Sequence, residues 1–493
     1  MRQEEQVKFS FFDNRTYEYL KGYQRKSGKA FKSEANPVIK PELAHEYKRV
    51  HYYGSAAFDS KDQLYKTWYS THYYGPSVQE NDPKAYSYLC YATSHDGIHF
   101  DKPKLDVVQG TNIVMDNDQR VHGPTVIIDD LDPDPQHRFK CAMGPYTKGC
   151  AVHLYSSPDG IHWKPMFDGP VLDVHSDCHI GFYRDPKTLH YRLSFRVAIP
   201  DRRVWVSESM DLKNWSRPVM SIEPDQYDFC ETQFYGMQIT SYGAYALGMI
   251  NTYNTFDYTV FPQYHKMAGT MDIELAYSRD GFCWHRSMQG QKLVALGEKG
   301  SWDSGCICPS STLIYRPEEI VIFYAANSFD HSGPITIPYE EIDEERIGFA
   351  TLRPDGFVYM DSGEETCELM TRPFAVEHGG LFVNADASAE GGSIVAELTD
   401  TEGKALQGFS FEECVPFTGS SLKAEMTWRG SPDWTLAERA VIRVKLRSVN
   451  TKLYSFFFPN GTVDEPYWSF REISCLNPLK HDIEQREETT SVT

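Results

Sequence analysis

Short runs that alternate apolar and polar residues recur along the chain from about Tyr47 to Met360, each bounded by Asp, Gly, Pro or Ser. Period-two alternation over so few residues predicts strands rather than helices. Five of these runs, "YLCYATS", "AVHLYSS", "RVWVSES", "IELAYSR" and "RIGFATL", lead into related turns. The turns read "SHDGIHF" at Ser94–Phe100, "SPDGIHW" at Ser157–Trp163, "SMDLKNW" at Ser209–Trp215, "SRDGFCW" at Ser278–Trp284 and "RPDGF" at Arg353–Phe357. Asp-Gly supplies the positive φ of a tight hairpin, and the returning aromatic covers the sheet edge.

Upstream of each turn lies a further strand pair, such as "GSAAFD" with "LYKTWYS", "PTVIID" with "RFKCAM", and "YRDPKT" with "YRLSFRV". Four strands per unit, five irregularly spaced units and no helical pattern predict radial repetition. The expected fold is all-β, a five-bladed β-propeller over residues 46–360. Residues 361–480 alternate differently: Ile442, Val444 and Leu446 face one way, and Val441, Arg443, Lys445 and Arg447 the other. That predicts a β-sandwich with one face packed and one in water. Residues 1–45 read as an arm lying on the propeller, and residues 481–493 as an acidic tail.

Composition narrows the function. Aromatic residues make up 14% of the chain, with 31 Tyr and 28 Phe, which suits strands and sugar-stacking surfaces. A formal charge of −20 argues against nucleic acid and an anionic membrane surface as partners. The 11 cysteines include no CxxC pair, so neither a disulfide framework nor a zinc site is expected. Cys90, Cys230, Cys306 and Cys308 read as buried free thiols. "MRQEEQVKFSFFDN" has no apolar signal-peptide core, and no stretch is long enough to span a bilayer. The expectation is a soluble protein, cytoplasmic or exported with its signal peptide removed; no cofactor, metal or oligomeric state is read.

In a propeller the innermost strand of each blade points its first residues into a central funnel. The strand starts read Tyr52-Tyr53-Gly54, His122-Gly123-Pro124, Arg184-Asp185-Pro186, Cys230-Glu231-Thr232 and Trp302-Asp303-Ser304. Asp185, Glu231 and Asp303 would bring three carboxylates to one mouth, as acid/base cleavage of a glycosidic bond requires. Arg184, Tyr53, His122, Trp302 and His179 are the candidate substrate-binding residues, with His51 beside them. Asp59 and Asp82 read as turn residues, and "DDLDPDP" at Asp129–Pro135 as a solvated hairpin.

The run "FYRDPKT…VWVSESMDLKNWS…DFCETQF" resembles glycoside hydrolase family 32, the invertases, inulinases and levanases, whose propeller is shared with family 43. The resemblance implies that Asp185 is the transition-state stabiliser, Glu231 the acid/base and Arg184 a sugar ligand. The family opens its first blade with an Asn-Asp-Pro-Asn stretch; the equivalent "HYYGSAAFD" carries no carboxylate at the inner position. The third carboxylate is therefore expected from blade five, at Asp303. The implied activity is exo-acting cleavage of a furanoside or related oligosaccharide or polysaccharide. A carbohydrate-binding protein without catalysis and a glycoside phosphorylase are the alternatives.

Overall fold

The computed structural model describes residues 7–73, 86–116, 120–197, 202–256, 263, 265–376, 379–438 and 440–458. The chain divides into two units, Ser27–Phe357 and a second made of Met1–Lys26 with Val358–Thr493.

The larger unit is the five-bladed β-propeller. Blade one pairs His51–Asp59, Leu64–Tyr73, Tyr86–Ser94 and Ile113–Met115 in order, all antiparallel. Blade two runs through Thr125–Ile128, Phe139–Met143, His153–Ser157 and Lys164–Pro165. Gly181–Arg184, Tyr191–Phe195, Val204–Ser209 and Val219–Ile222 form blade three. Blade four contains Thr232–Tyr242, Tyr245–Thr255 and Gly269–Ser278, edged by His285–Arg286 and Lys292–Val294. In blade five Cys306–Pro309, Ile320–Asn327 and Arg346–Leu352 are followed by Phe31–Lys32, a strand from near the N-terminus.

The inner strands of blades one to four touch in succession, Cys306–Pro309 of blade five meets Tyr245–Thr255 and Gly269–Ser278 of blade four, and blade five returns to blade one. Closure there is polar: Ser311 N donates to Gly54 O at 3.2 Å, Ala56 N to Ser310 Oγ at 2.8 Å, and the Ser55 and Ser311 hydroxyls lie 2.5 Å apart. These pairings satisfy groups that no water reaches, since Ser55, Ser310 and Ser311 are fully buried. Apolar clusters fill the wedges between blades, for example Trp68, Leu89 and Tyr91 against Val126, Phe139 and Tyr155.

The repeated turn is an aspartate cap. Asp96 Oδ1 accepts from Ile98 N and His99 N, and Ser94 Oγ accepts from Gly97 N; Asp159 and Asp280 repeat the pattern. The glycine serves packing as well. At Gly160, φ is 80°, and a Cβ there would come within 2.6 Å of the Trp68 ring in the preceding blade. The third copy places Leu212 at φ 65° instead, where a side chain is accommodated at some strain.

Two expectations about chain organisation differ from the structure. The strands of residues 7–9 and 17–26 pair within the second unit, Val7–Phe9 on Lys452–Phe458 and Tyr17–Lys21 on Cys367–Thr371. The rest of the arm belongs to the propeller unit and includes a blade-five edge strand, Phe31–Lys32. Cys230 is exposed, whereas Cys90, Cys306 and Cys308 are buried, because Cys230 sits in the loop before its strand rather than within it.

The second unit is a β-sandwich of a six-stranded and a five-stranded sheet. Its core stacks Phe9 on Phe456 with centroids 4.6 Å apart, and Phe374 tilts against both Phe9 and Phe458. In Val441–Val449, Ile442, Val444 and Leu446 are fully buried and the basic residues between them are not.

Candidate active site

Polar residues enter the axis along the first, alternating positions of the inner strands. His51 and Tyr53 alternate in blade one; Asp177 and His179 alternate ahead of Gly181–Arg184 in blade three; His122 precedes the blade-two strand and Tyr235 sits early in blade four. Ring contacts bring His51, His122 and His179 together around Tyr53. Tyr53 is the hub: its ring lies 4.6 Å from His51, 5.2 Å from His122 and 5.3 Å from His179, the last nearly parallel at 28°.

Asp177 is the carboxylate of this cluster, and its side chain is 42% exposed. Its Oδ1 lies 2.9 Å from His122 Nε2, a close contact poorly aligned as a hydrogen bond. Arg196 Nη2 donates to Asp177 Oδ2 at 3.0 Å and also to the Asp177 carbonyl. Burial alone would raise the Asp177 pKa, but the His122 contact and the Arg196 charge outweigh it and hold the carboxyl well below the usual range.

The cations continue around Tyr235. Arg196 lies 4.7 Å and Arg202 5.2 Å from its ring centroid, and His331 Nε2 is 3.1 Å from its hydroxyl. Burial pushes the Tyr235 phenol up to about 12 and the Tyr53 phenol well above 10, so both are neutral donors near pH 7. Burial, with the Arg202 charge, lowers His331 to about 3. His179 is held neutral the same way; its Nε2 accepts from Gly54 N at 3.2 Å, which leaves Nδ1 as the protonated nitrogen, without a partner among the described residues.

Below the hub, Glu345 is 1% exposed and divides its carboxylate between Arg49 Nε at 2.9 Å and His51 Nδ1 at 2.5 Å. Those two groups overcome burial and keep it ionised. Both oxygens are committed, so Glu345 orients His51 and is not placed to attack a substrate. Among the described residues no group of three or more His, Cys, Asp or Glu is arranged to hold a metal ion.

The eight sequence candidates separate into three places. Tyr53, His122 and His179 come together at the hub. Glu231 lies at the same end of the ring, immediately before Thr232–Tyr242, with its carbonyl accepting from Thr255 Oγ1 at 2.6 Å. Arg184 and Asp185 stand at the other end of the blade-three inner strand. There Asp185 caps the hairpin: its Oδ1 accepts from Lys187 N at 2.9 Å, its Oδ2 from Arg192 at 2.9 Å, and Leu189 turns at φ 61°. The cavity beside it holds about 20 Å³, room for one water and not for a sugar. Arg184 pairs with Asp129, which also binds Lys140 and the Tyr191 hydroxyl.

Asp303 and Trp302 are turned into the flank of blade five. Asp303 is 3% exposed and held by Lys32 at 2.5 Å, Ser301 Oγ at 2.8 Å and Tyr324 at 3.3 Å; Trp302 stacks on Tyr324. Asp59 is a fully buried ion-pair centre joining Arg138 and Lys66. Asp82 lies outside the described residues.

No protein-family model matches the sequence, and no curated protein is significantly similar to it. Solved structures are similar in fold. An N-acetylgalactosamine deacetylase from F. plautii, in complex with blood group B trisaccharide, is 16% identical, with 67% of this chain and 96% of that one covered and a TM-score of 0.46. Beta-1,2-mannobiose phosphorylase from Listeria innocua is 14% identical over 66% and 96%, with a TM-score of 0.44. A fructofuranosidase from Schwanniomyces occidentalis, complexed with fructosylnystose, is 10% identical over 88% and 99%, with a TM-score of 0.43. The likeness is one of fold.

Asp177, Arg196, Arg202, Tyr235, His331 and Glu345 were not among the sequence candidates. "HSDCHIGFYR" carries a usable signal for the first: Asp177 and His179 alternate with the apolar Cys178, Ile180 and Phe182, which marks the polar face of a strand entering from the axis.

Proposed function

We propose that the protein cleaves a glycosidic bond at the axial mouth of the propeller. The observation that supports this most is Asp177, an ionised, solvent-reachable carboxylate placed between His122 and Arg196 and ringed by the phenols of Tyr53 and Tyr235. Such a carboxylate accepts hydrogen bonds from sugar hydroxyls. It also offsets the positive charge that grows at an anomeric carbon as its bond to the leaving oxygen breaks. The role that the sequence resemblance gives Asp185 falls in this reading to Asp177. Glu231 remains the proton donor to the leaving oxygen, Tyr53 and His122 hold the sugar, and the substrate is a furanoside or related saccharide attacked from its end.

Arg196 and Arg202 favour a second reading, phosphorolysis. An inorganic phosphate held by guanidinium groups would replace water, its oxygen bonding to the anomeric carbon. Turnover of fructans, arabinans and aryl glycosides with and without phosphate separates the two. Under the first reading product forms without phosphate, and Asp177→Asn and Glu231→Gln each lose 100-fold or more of it, about the effect of one transition-state or acid/base group. Full activity in Asp177→Asn overturns the site; saturable sugar binding without turnover by the wild type points to a binding protein instead.

A further inference from the structure

The segment just ahead of Glu231 is short, polar and tied down. Arg286, 3% exposed, donates from Nη1 to Asp228 Oδ1 at 2.7 Å, and from Nη2 to Asp228 Oδ2 at 2.6 Å and Asp225 Oδ2 at 2.9 Å. Within the loop, Asp225 N donates to Asp228 Oδ2 at 2.7 Å, Tyr227 N to Asp225 Oδ1 at 2.9 Å, and Thr232 N to Phe229 O at 2.9 Å. The guanidinium also lies 5.3 Å from the Phe234 ring, so one side chain braces the segment from its root to the inner strand.

On this braced loop two large aromatic residues face water. Tyr227 is 75% exposed and Phe229 65% exposed. A loop free to collapse would bury such surface; this one is held open by three carboxylate–guanidinium contacts. Aromatic faces kept exposed on a rigid support suit the apolar faces of sugar rings. The foot of the same loop borders a cavity of about 330 Å³, at the small end of the range for ligand sites. Glu223, Asp225, Arg286 and Gln289 line it, and these are the donors and acceptors that sugar hydroxyls use.

We propose that Tyr227 and Phe229 form a stacking platform for saccharide units beyond the bond that is cut, with the neighbouring polar cavity taking their hydroxyls. This rests on the cleavage reading, because the platform adjoins Glu231. It makes affinity depend on chain length: an aryl monoglycoside does not reach the platform, and a pentasaccharide does.

The test compares KM for a pentasaccharide and for an aryl glycoside of the same sugar, drawn from the fructan and arabinan series. In Tyr227→Ala and Phe229→Ala the ratio of pentasaccharide KM to aryl-glycoside KM rises about tenfold, and in the double variant further. Met210→Ala, an equally exposed apolar residue at the turn of blade three, leaves that ratio unchanged. Thermal melting of each variant confirms that the fold is kept. An unchanged ratio in the aromatic variants overturns the platform. Glu231→Gln in the same assay reports on the cleavage reading separately. If that variant keeps full turnover, or if no glycoside is cut, calorimetric titration with the pentasaccharide decides. Weaker binding to Tyr227→Ala than to wild type supports the platform, and equal binding or none to wild type overturns it.

Discussion

Arg196 reaches Asp177 with one guanidinium nitrogen at 3.0 Å while its carbon lies over the Tyr235 ring at 4.7 Å. The cation therefore serves two neighbours at once: it keeps the carboxylate charged and fixes the plane of a phenol beside it. Neither effect survives replacement by a neutral side chain.

Arg196→Gln follows from this. The depressed Asp177 pKa climbs toward the ordinary carboxylate value when the guanidinium is gone, since only His122 and His175 remain opposite it. The acid limb of the activity–pH profile moves upward by about one unit or more, the usual effect of an adjacent cation. A profile identical to wild type would show that the charge on Asp177 does not govern turnover.

Asp177→Asn and Asp185→Asn separate two ends of one strand. Asp185 caps a hairpin and pairs with Arg192, so its amide variant loses about 1 kcal/mol of stability and keeps kcat/KM within roughly threefold. Asp177→Asn also loses stability, because the buried Arg196 guanidinium is left without its carboxylate, but it alone loses activity, by about 100-fold or more. Parallel melts and kinetics on the two variants check both statements.

That contrast also shows what was legible in the chain. Apolar alternation and the Asp-Gly turns placed the blades, because both arise from short-range geometry that each blade repeats. Arg-Asp-Pro looked like an axial strand start and proved to be the hairpin at the strand's far end; the proline stiffens a turn as well as a strand entry. Eight residue steps separate Asp177 from Asp185, on the order of 20 Å if extended, with the strand Gly181–Arg184 between them. Arg196, His331 and Glu345 stayed hidden for another reason: they reach the hub from a second strand or from blade-five connections, and no local period reports which distant loop arrives at an axis.

Asp59 is one source of acid sensitivity in the first two blades. It is fully buried, with Arg138 bidentate at 2.7 and 2.8 Å and Lys66 at 2.8 Å, and these contacts overcome burial to depress its pKa. Its contribution is complete above the unfolded value, near 3.9, and is lost as pH falls toward the folded value. Asp59→Asn leaves Lys66 and Arg138 with only their half-exposed partners Asp62 and Asp130, and costs about 3 kcal/mol at pH 7 in urea unfolding.

Asp272 works in the opposite direction. Burial pushes its carboxyl up to about 6 despite Lys292 at 2.9 Å. Between about pH 3.9 and 6 the folded chain holds a proton that the unfolded chain has released, so stability falls as pH rises, and above that window the deficit is constant. Asp272→Asn therefore raises the melting temperature at pH 7.5 by an amount worth about 1–3 kcal/mol and removes the decline below pH 6. Melting curves from pH 4 to 8 on both proteins measure it.

Blade five borrows its outer strand, Phe31–Lys32, from the beginning of the chain and lays it on Arg346–Leu352. During synthesis that segment leaves the ribosome before any blade exists and must wait, unpaired, until the last blade has emerged. The outer edge of blade five is thus completed in one late event that ties early chain to late chain.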